Sequence, residues 1–178
     1  MCMKIYLSEH IKKSNDILND ILINDFKLAN YEIYKNQYGK KYLKDLKIFF
    51  NISHSNGLIA LAFDGEECGI DIEFLSIDRR FESLVKHYFN DSEKQEYLNT
   101  IDKIDCFYHI WTAKEAYSKM IGTGIIGYFN NLPLDYDKYI KRYNVYLNDK
   151  KFKLAICTKA KNIEFVLDNN IILEENNE

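Results

Sequence analysis

The sequence has little proline and no paired cysteines. A single proline in 178 residues argues against proline-rich linkers between separate domains. Without a Cys-x-x-Cys pair, neither a zinc site nor a disulfide framework is indicated, and reduced thiols in a cytoplasmic protein are the expected state. The four cysteines are scattered along the chain: Cys2, Cys68, Cys106 and Cys157.

Long apolar runs and an excess of basic charge are also missing. No stretch approaches the roughly 18–20 apolar residues of a membrane span, and the N-terminus lacks the apolar core of a signal peptide. Lys and Arg number 24 against 27 Asp and Glu, a net charge of −3, which gives no general field for nucleic acid. We therefore expect neither a membrane nor a nucleic acid as partner.

The periodicity of the apolar residues predicts an α+β fold, and 47% hydrophobic residues provide for a sizeable core. Residues 58–63 and 68–73 are expected to form a hairpin, and the last three strands to pair antiparallel. Residues 174–178 are expected to be a frayed polar tail. Helices are predicted at 15–26, with Ser14 as N-cap, at 81–89, 91–97 and 105–121, and strands at 3–7, 31–34, 48–53, 58–63, 68–73, 141–147, 152–158 and 162–167.

The two halves of the chain share a weak pattern, a helix followed by an apolar hairpin. This indicates a pseudo-dimer of two similar lobes, each an antiparallel sheet packed on a long helix. The lobes are expected at residues 1–70 and 71–178, packed as one unit with the active site in the cleft between them. Because such a pair closes its own twofold interface, the protein is expected to be a monomer.

Two stretches carry candidate chemistry. In Gly69–Glu73, isoleucine alternates with acid, so Asp71 and Glu73 share one face of a strand, about 6.5–7 Å apart and able to ligate one cation. An ordinary exposed strand face is the alternative. In the helix at 105–121, Glu115 and Lys119 are spaced i, i+4 one turn after Trp111, either as part of a cleft or as a surface ion pair.

These stretches together resemble a known family. Gly69–Glu73, the segment Trp111-Thr112-Ala113-Lys114-Glu115-Ala116-x-x-Lys119 and the upstream Asn51–Ser55 are similar to the motifs of the 4′-phosphopantetheinyl transferase superfamily, in its surfactin-type branch. The resemblance implies transfer of the 4′-phosphopantetheine arm of coenzyme A to a serine of an apo carrier protein (acyl, peptidyl or aryl), with release of adenosine 3′,5′-bisphosphate.

The resemblance also implies roles for individual residues. Asp71, Glu73 and Glu115 correspond to ligands of Mg²⁺, with Mn²⁺ possible, and Lys119 to the lysine on the phosphates. Glu93 matches the proposed general base, although a capping box with Asn90 or a base supplied by water are alternatives.

The same resemblance places coenzyme A beside Lys40, Ser53 and His54. His54 corresponds to a contact of the 3′-phosphate, and neighbouring Ser53, Ser55 and Gly57 are expected to form an anion-holding turn around it. Lys40 lies in a Gly39-Lys40-Lys41 loop that lacks the family's proline, so a more mobile loop is expected. The other histidines, His10, His87 and His109, are interpreted as structural or surface residues.

Some departures leave other functions open. Only about forty residues precede the Gly-Lys loop, so the first lobe is expected to be shortened, with Lys12 and Lys13 as the only nearby basic candidates. A catalytically weak module that binds carrier protein or coenzyme A is one alternative, and a metal-dependent phosphohydrolase is another. Exposed apolar residues around Phe89 and Tyr117 are the candidate carrier surface.

Overall fold

The computed structural model describes residues 2–9, 13–124, 129, 132–133 and 135–176. The elements in chain order are β1 (Met3–Glu9), α1 (Ser14–Asn24), β2 (Ile33–Lys35), β3 (Lys41–Leu43), β4 (Phe49–Ser55), β5 (Leu58–Asp64), β6 (Gly69–Phe74), α2 (Phe81–Tyr88), α3 (Asp91–Asn99), α4 (Lys103–Ile121), a 3₁₀ helix (Tyr136–Tyr139), β7 (Ile140–Leu147), β8 (Lys150–Cys157), β9 (Ile163–Leu167) and β10 (Ile171–Glu175).

Two four-stranded sheets form the centre of the molecule, in the orders β4-β5-β1-β9 and β10-β7-β8-β6. Their inner faces pack on each other through one apolar cluster to which Ile5, Leu7, Ile70, Ile72 and other residues contribute. Helix α1 covers the outer face of the first sheet, and α4 covers the outer face of the second. The predicted α+β class is confirmed.

The alternation in β6 decides which side chains reach the cleft. Ile70 and Ile72 are buried in the cluster between the sheets, so Asp71 and Glu73 face the opposite side, toward α4. A pattern of period two in the sequence is thus sufficient to orient both carboxylates.

Two pairings differ from the expectation. Strands β5 and β6 do not form a hairpin, because β5 pairs with β4 and β1 in the first sheet, while β6 pairs with β8 in the second. Strand β9 does not extend the β7–β8 hairpin but lies parallel to β1. Alternation identifies strands, but the choice between two apolar sheet edges depends on contacts between distant residues, which periodicity does not report.

Several boundaries also need correction. Ser14 is the first residue of α1, and Lys13 precedes it without a side-chain cap. Residues Glu174 and Glu175, expected in a frayed tail, belong to β10, which pairs with β7; residues 177 and 178 lie outside the described part of the chain. Gly122 ends α4 as predicted, in the left-handed conformation with φ of 73°.

Strand β9 belongs to the first sheet although it lies within residues 71–178. The division into lobes at residues 1–70 and 71–178, and their pseudo-twofold relation, stay predictions. In the described part of the chain, no helix is long and apolar enough to cross a membrane.

Candidate active site between the two sheets

Side chains of β4 bind the backbone of β6 and join the two sheets. Alternate residues of β4 point toward β6 and accept hydrogen bonds from its backbone N–H groups, which satisfies the free edge of the second sheet. The sequence signal for these bonds is the alternation Asn-x-Ser-x-Ser. The turn expected around His54 lies at Asn56 and Gly57 instead. The donor and acceptor pairs are Ile70 N to Asn51 Oδ1 at 3.2 Å, Ile72 N to Ser53 Oγ at 3.2 Å and Phe74 N to Ser55 Oγ at 3.0 Å.

Asp71 lies at the centre of this junction and is only 3% exposed. Its Oδ1 accepts hydrogen bonds from Ser53 Oγ at 2.8 Å and Lys119 Nζ at 2.6 Å. Its Oδ2 is buried and has no hydrogen-bond partner among the described residues. A buried carboxylate oxygen without a partner is costly, so this atom marks a place where a cation would be stabilising.

Glu73 follows on the same face, with both oxygens engaged. Oε1 accepts a hydrogen bond from Arg79 Nη2 at 2.9 Å, and Oε2 accepts one from Ser55 Oγ at 3.2 Å. Burial and the neighbouring Asp71 carboxylate raise the pKa of Glu73, and Arg79 opposes that rise. The sequence reasoning missed Arg79, which lies five residues after the end of β6.

Glu115 and Lys119 of α4 complete the cluster. Glu115 is 8% exposed, and burial, followed by the charge of Asp71, raises its pKa to about 7. Burial by itself would lower the pKa of Lys119, but Asp71 and Glu115 outweigh it and raise that pKa. Lys119 thus pairs with Asp71 of β6, on the other side of the cleft.

The three carboxylates interact electrostatically but are not arranged as a finished metal site. Among the described residues, no group of three His, Cys, Asp or Glu side chains is placed to hold a metal ion as it stands. Lys119 forms an ion pair with Asp71, and Arg79 forms one with Glu73. Two of the three acids are therefore already paired with basic side chains of the protein.

A cavity of about 340 Å³ opens beside the cluster. It brings together three parts of the chain that the sequence singled out separately: the loop at Gly39–Lys41, His54 of β4 and Lys119 near the end of α4. His54 is exposed at this cavity, whereas Ser53, the preceding residue on the strand, points the other way to Asp71 and Lys119.

The Gly-Lys loop is the turn between β2 and β3, and Asn36 holds it. Asn36 Oδ1 accepts hydrogen bonds from Tyr38 N at 2.9 Å and Lys40 N at 3.0 Å, and its Nδ2 donates to Gly122 O at 2.9 Å. These bonds fix the loop to the end of α4. The expectation of a more mobile loop, which was based on the missing proline, did not take this restraint into account.

Lys40 itself turns toward the end of α4. Its Nζ donates to Met120 O at 2.6 Å and forms an ion pair with Glu67. The lysine therefore lines the cavity with its ammonium already bound, and a ligand phosphate would have to draw it away from Glu67.

Glu93 lies apart from the carboxylate cluster in a buried ion pair. It is 6% exposed, and Lys114, 1% exposed, donates to both of its oxygens at 3.0 and 2.8 Å. Tyr136 donates to Oε1 at 3.1 Å, and Asn90 N to Oε2 at 2.8 Å, as part of a capping box. The capping alternative is therefore present, and the role as general base stays a prediction.

The remaining candidates are placed as follows. Phe89 is only 3% exposed and stacks on Phe107, so its assignment to an exposed carrier surface is wrong. Its apolar ring is instead part of the core around α4, while Tyr117 is half-buried.

The structure also places two of the other histidines and one of the basic residues near the N-terminus. His87 is exposed on α2 with Nδ1 2.6 Å from Ser83 O, and Lys13 is exposed. His109 is half-buried on α4, whereas His10 and Lys12 lie outside the described residues.

Comparison with protein families decides the assignment of the chain. The model of the 4′-phosphopantetheinyl transferase superfamily matches residues 67–171, which is more than half of the sequence and includes β6 and α4. The chain belongs to the 4′-phosphopantetheinyl transferase superfamily. The prediction that it is an enzyme of this family is confirmed.

Individual members of the superfamily place it in the surfactin-type branch, as predicted. The chain is 29% identical to the 4′-phosphopantetheinyl transferase Sfp of Bacillus subtilis, over 88% of this chain and 78% of that protein. It is 31% identical to the 4′-phosphopantetheinyl transferase gsp of Aneurinibacillus migulanus, over 79% and 59% of the two chains. A putative 4′-phosphopantetheinyl transferase of Haemophilus influenzae is 37% identical over 53% of this chain and 42% of its own length.

Proposed function

We propose that this superfamily member transfers the 4′-phosphopantetheine arm of coenzyme A to a serine hydroxyl of an apo carrier protein and releases adenosine 3′,5′-bisphosphate. The observation that carries the proposal is the cavity in which Lys40, His54 and Lys119 meet beside a buried carboxylate cluster. Cations and a histidine suit the phosphates of coenzyme A, and the acids suit a divalent cation.

Asp71, Glu73 and Glu115 are the residues proposed to hold Mg²⁺, or Mn²⁺ in its place. Their donor chemistry fits, because a hard cation prefers carboxylate oxygens, and the buried Oδ2 of Asp71 has no partner among the described residues. The pKa of Glu115 is raised by burial and then by the charge of Asp71, so a cation bound here would also stabilise the ionised form of Glu115. When bound, the metal would neutralise the pyrophosphate and polarise the transferred phosphoryl group.

The protein's own groups have distinct tasks in this proposal. Lys119 neutralises negative charge on the phosphates of the leaving group. Ser53 holds the side chains of Asp71 and Lys119 in place through its hydrogen bonds with both. His54 and Lys40 face the nucleotide, with His54 on the 3′-phosphate. Glu93 is proposed as the base that accepts the proton of the carrier serine, a role that must compete with its bonds to Lys114 and Tyr136.

Carrier modification is the direct test. The purified protein is incubated with coenzyme A, Mg²⁺ and a panel of apo acyl, peptidyl and aryl carriers, and each carrier is weighed by mass spectrometry. We expect at least one carrier to gain the mass of a phosphopantetheine arm, and the gain to disappear when a chelator removes Mg²⁺. If the folded protein shifts no carrier of the panel, the proposed transfer is wrong.

The same assay separates the two alternatives. A module that only binds would retain a carrier or coenzyme A in titrations without changing the mass of either. A phosphohydrolase would release adenosine bisphosphate from coenzyme A when no carrier is present. We also propose that the protein is a cytoplasmic monomer. The free cysteines support this location, and the predicted pseudo-dimer, which would close its own twofold interface, supports the monomer. Light scattering checks the monomer.

A further inference from the structure

Arg79 is held beside Glu73 by two aromatic rings of α4. Its guanidinium lies 5.2 Å from the ring centroid of Tyr108 and 5.9 Å from that of Trp111, a distance range typical of cation–π contacts. The preceding segment is anchored as well, since the Tyr108 hydroxyl accepts from Ser76 N and donates to Ser76 O, both at 3.2 Å. The guanidinium is therefore held in place independently of the acids.

From this position Arg79 neutralises one of the three carboxylates. Nη2 donates to Glu73 Oε1 at 2.9 Å and forms an ion pair with it. Lys119 does the same for Asp71 at 2.6 Å. Three carboxylates thus face two fixed cations, which reduces the attraction of the cluster for a free divalent ion.

An arginine on Glu73 also competes with a metal for the same oxygen. Glu73 Oε2 accepts from Ser55, so a cation that binds Glu73 shares an oxygen with a hydrogen-bond donor and is repelled by the adjacent guanidinium. A guanidinium that leaves a carboxylate needs a new anionic partner, and its planar fork fits a phosphate group well. Coenzyme A supplies such groups.

We propose that Arg79 is a positioning residue that holds Glu73 as an internal counter-cation, so that the metal binds together with the pyrophosphate of coenzyme A and only weakly to the free protein. This inference rests on the proposed function, because it assumes that Glu73 is a metal ligand and that coenzyme A enters the adjacent cavity. By linkage, coenzyme A and the metal then raise each other's affinity by the same factor.

Binding of Mn²⁺ measures this coupling without any turnover. Free Mn²⁺ is quantified by electron paramagnetic resonance for the wild-type protein, Arg79→Gln and Arg80→Gln, each with and without coenzyme A. We expect coenzyme A to tighten Mn²⁺ binding to the wild type about 10-fold or more. Arg79→Gln should bind Mn²⁺ about 10-fold more tightly without coenzyme A and lose most of the coupling.

Arg80→Gln is the matched control. It removes the same charge from the adjacent residue, whose side chain is exposed, and should behave as the wild type. Arg79→Lys keeps the charge and is expected to keep weak binding of Mn²⁺ to the free protein. Circular dichroism verifies that each variant is folded, and equal Mn²⁺ affinity of the wild type with and without coenzyme A would overturn the inference even if Arg79→Gln does not fold.

Two results would overturn the inference: equal Mn²⁺ affinity of the wild type with and without coenzyme A, or an Arg79→Gln protein that binds free Mn²⁺ no more tightly than the wild type. Its failure is distinct from failure of the proposed function. A protein that modifies carriers but shows no coupling retains the transfer activity and loses the role of Arg79. Coupled Mn²⁺ binding that Arg79→Gln loses, without modification of any carrier, supports the role of Arg79 and contradicts the proposed transfer.

Discussion

A Cβ atom added to Gly69 would lie 1.9 Å from the carbonyl oxygen of Ala116. Helix α4 therefore rests directly on the backbone at the start of β6, which only a glycine permits at this position. This close contact places Glu115 and Lys119 of the helix over Asp71 of the strand, and the carboxylate cluster depends on it.

The first prediction concerns this contact. Gly69→Ala must push α4 away from β6, because the nearest atoms belong to backbone and cannot rotate aside. We expect a loss of stability of about 1–3 kcal/mol or more, measured by urea unfolding, and a larger fall in transfer activity than the unfolded fraction explains. An unchanged urea midpoint would show that the helix does not pack as described.

Removing one acid of the cluster should abolish transfer and leave the fold intact. Glu115→Gln is nearly isosteric and relieves repulsion between buried carboxylates, so we expect an unchanged or higher melting temperature together with a loss of kcat/KM on the order of 10²-fold or more. Glu82→Gln, at an exposed position of α2, is the charge-matched control. Near-normal turnover of the Glu115 variant would refute the metal assignment.

His54 is predicted to recognise the 3′-phosphate of coenzyme A. His54→Ala should raise the apparent KM for coenzyme A by about 10-fold, the size of one charge-assisted hydrogen bond, with little change in kcat. Steady-state kinetics with dephospho-coenzyme A, which lacks that phosphate, supply the check. The wild type should prefer coenzyme A and the variant should not; a preference that survives in the variant contradicts this role.

Because Glu93 and Lys114 form a buried ion pair, mutations at these two positions should have non-additive effects on the free energy of unfolding. Glu93→Gln or Lys114→Met alone should cost roughly 3–5 kcal/mol, because each leaves a buried group without its partner, while the double variant should recover part of that loss. A double-mutant cycle in urea measures the coupling. Turnover of the folded double variant then tests the proposed base: a normal kcat would show that Glu93 only supports the fold.

The cysteines should differ strongly in reactivity. Burial raises the pKa of Cys68 and Cys157 to about 12 and that of Cys106 to about 11, which lowers their thiolate fraction at pH 8 and slows their attack on a disulfide reagent. Cys2 is exposed, so we expect one fast equivalent in the native protein. Cys2→Ser should abolish the fast phase, and two fast equivalents would contradict the burial.

Local periodicity was enough to place most of the candidate acids and bases on one face of a strand or helix, whereas their candidate roles followed from the family resemblance. The alternation in Gly69–Phe74 places Asp71 and Glu73 on one face, and the spacing of Glu115 and Lys119 follows from a helix that the sequence predicts within two residues at its start and at Ile121 at its end. Each of these signals is contained in a few consecutive residues, which is why sequence reasoning finds them.

Contacts between residues that are distant along the chain could not be predicted from the sequence. Asn36 binding the end of α4, Arg79 clamped between α4 and Glu73, and the pairing of Glu93 with Lys114 have no periodic signal. The exchange of β9 into the first sheet has none either, because its alternation fits either sheet edge. Such contacts depend on how the sheets and helices pack, and they are set by tertiary structure alone.

The sequence by itself determined the α+β class, the strand faces of Asp71 and Glu73 and the helix face of Glu115 and Lys119, since backbone geometry orders side chains at periods of two and 3.6. Only the tertiary structure decided that these faces meet. Gly69 lets α4 approach the backbone of β6 closely, and side chains of β4 bind the free edge of β6. Arg79 and Lys119 form ion pairs with Glu73 and Asp71. Close packing and burial bring the charges together, and no short segment contains that information.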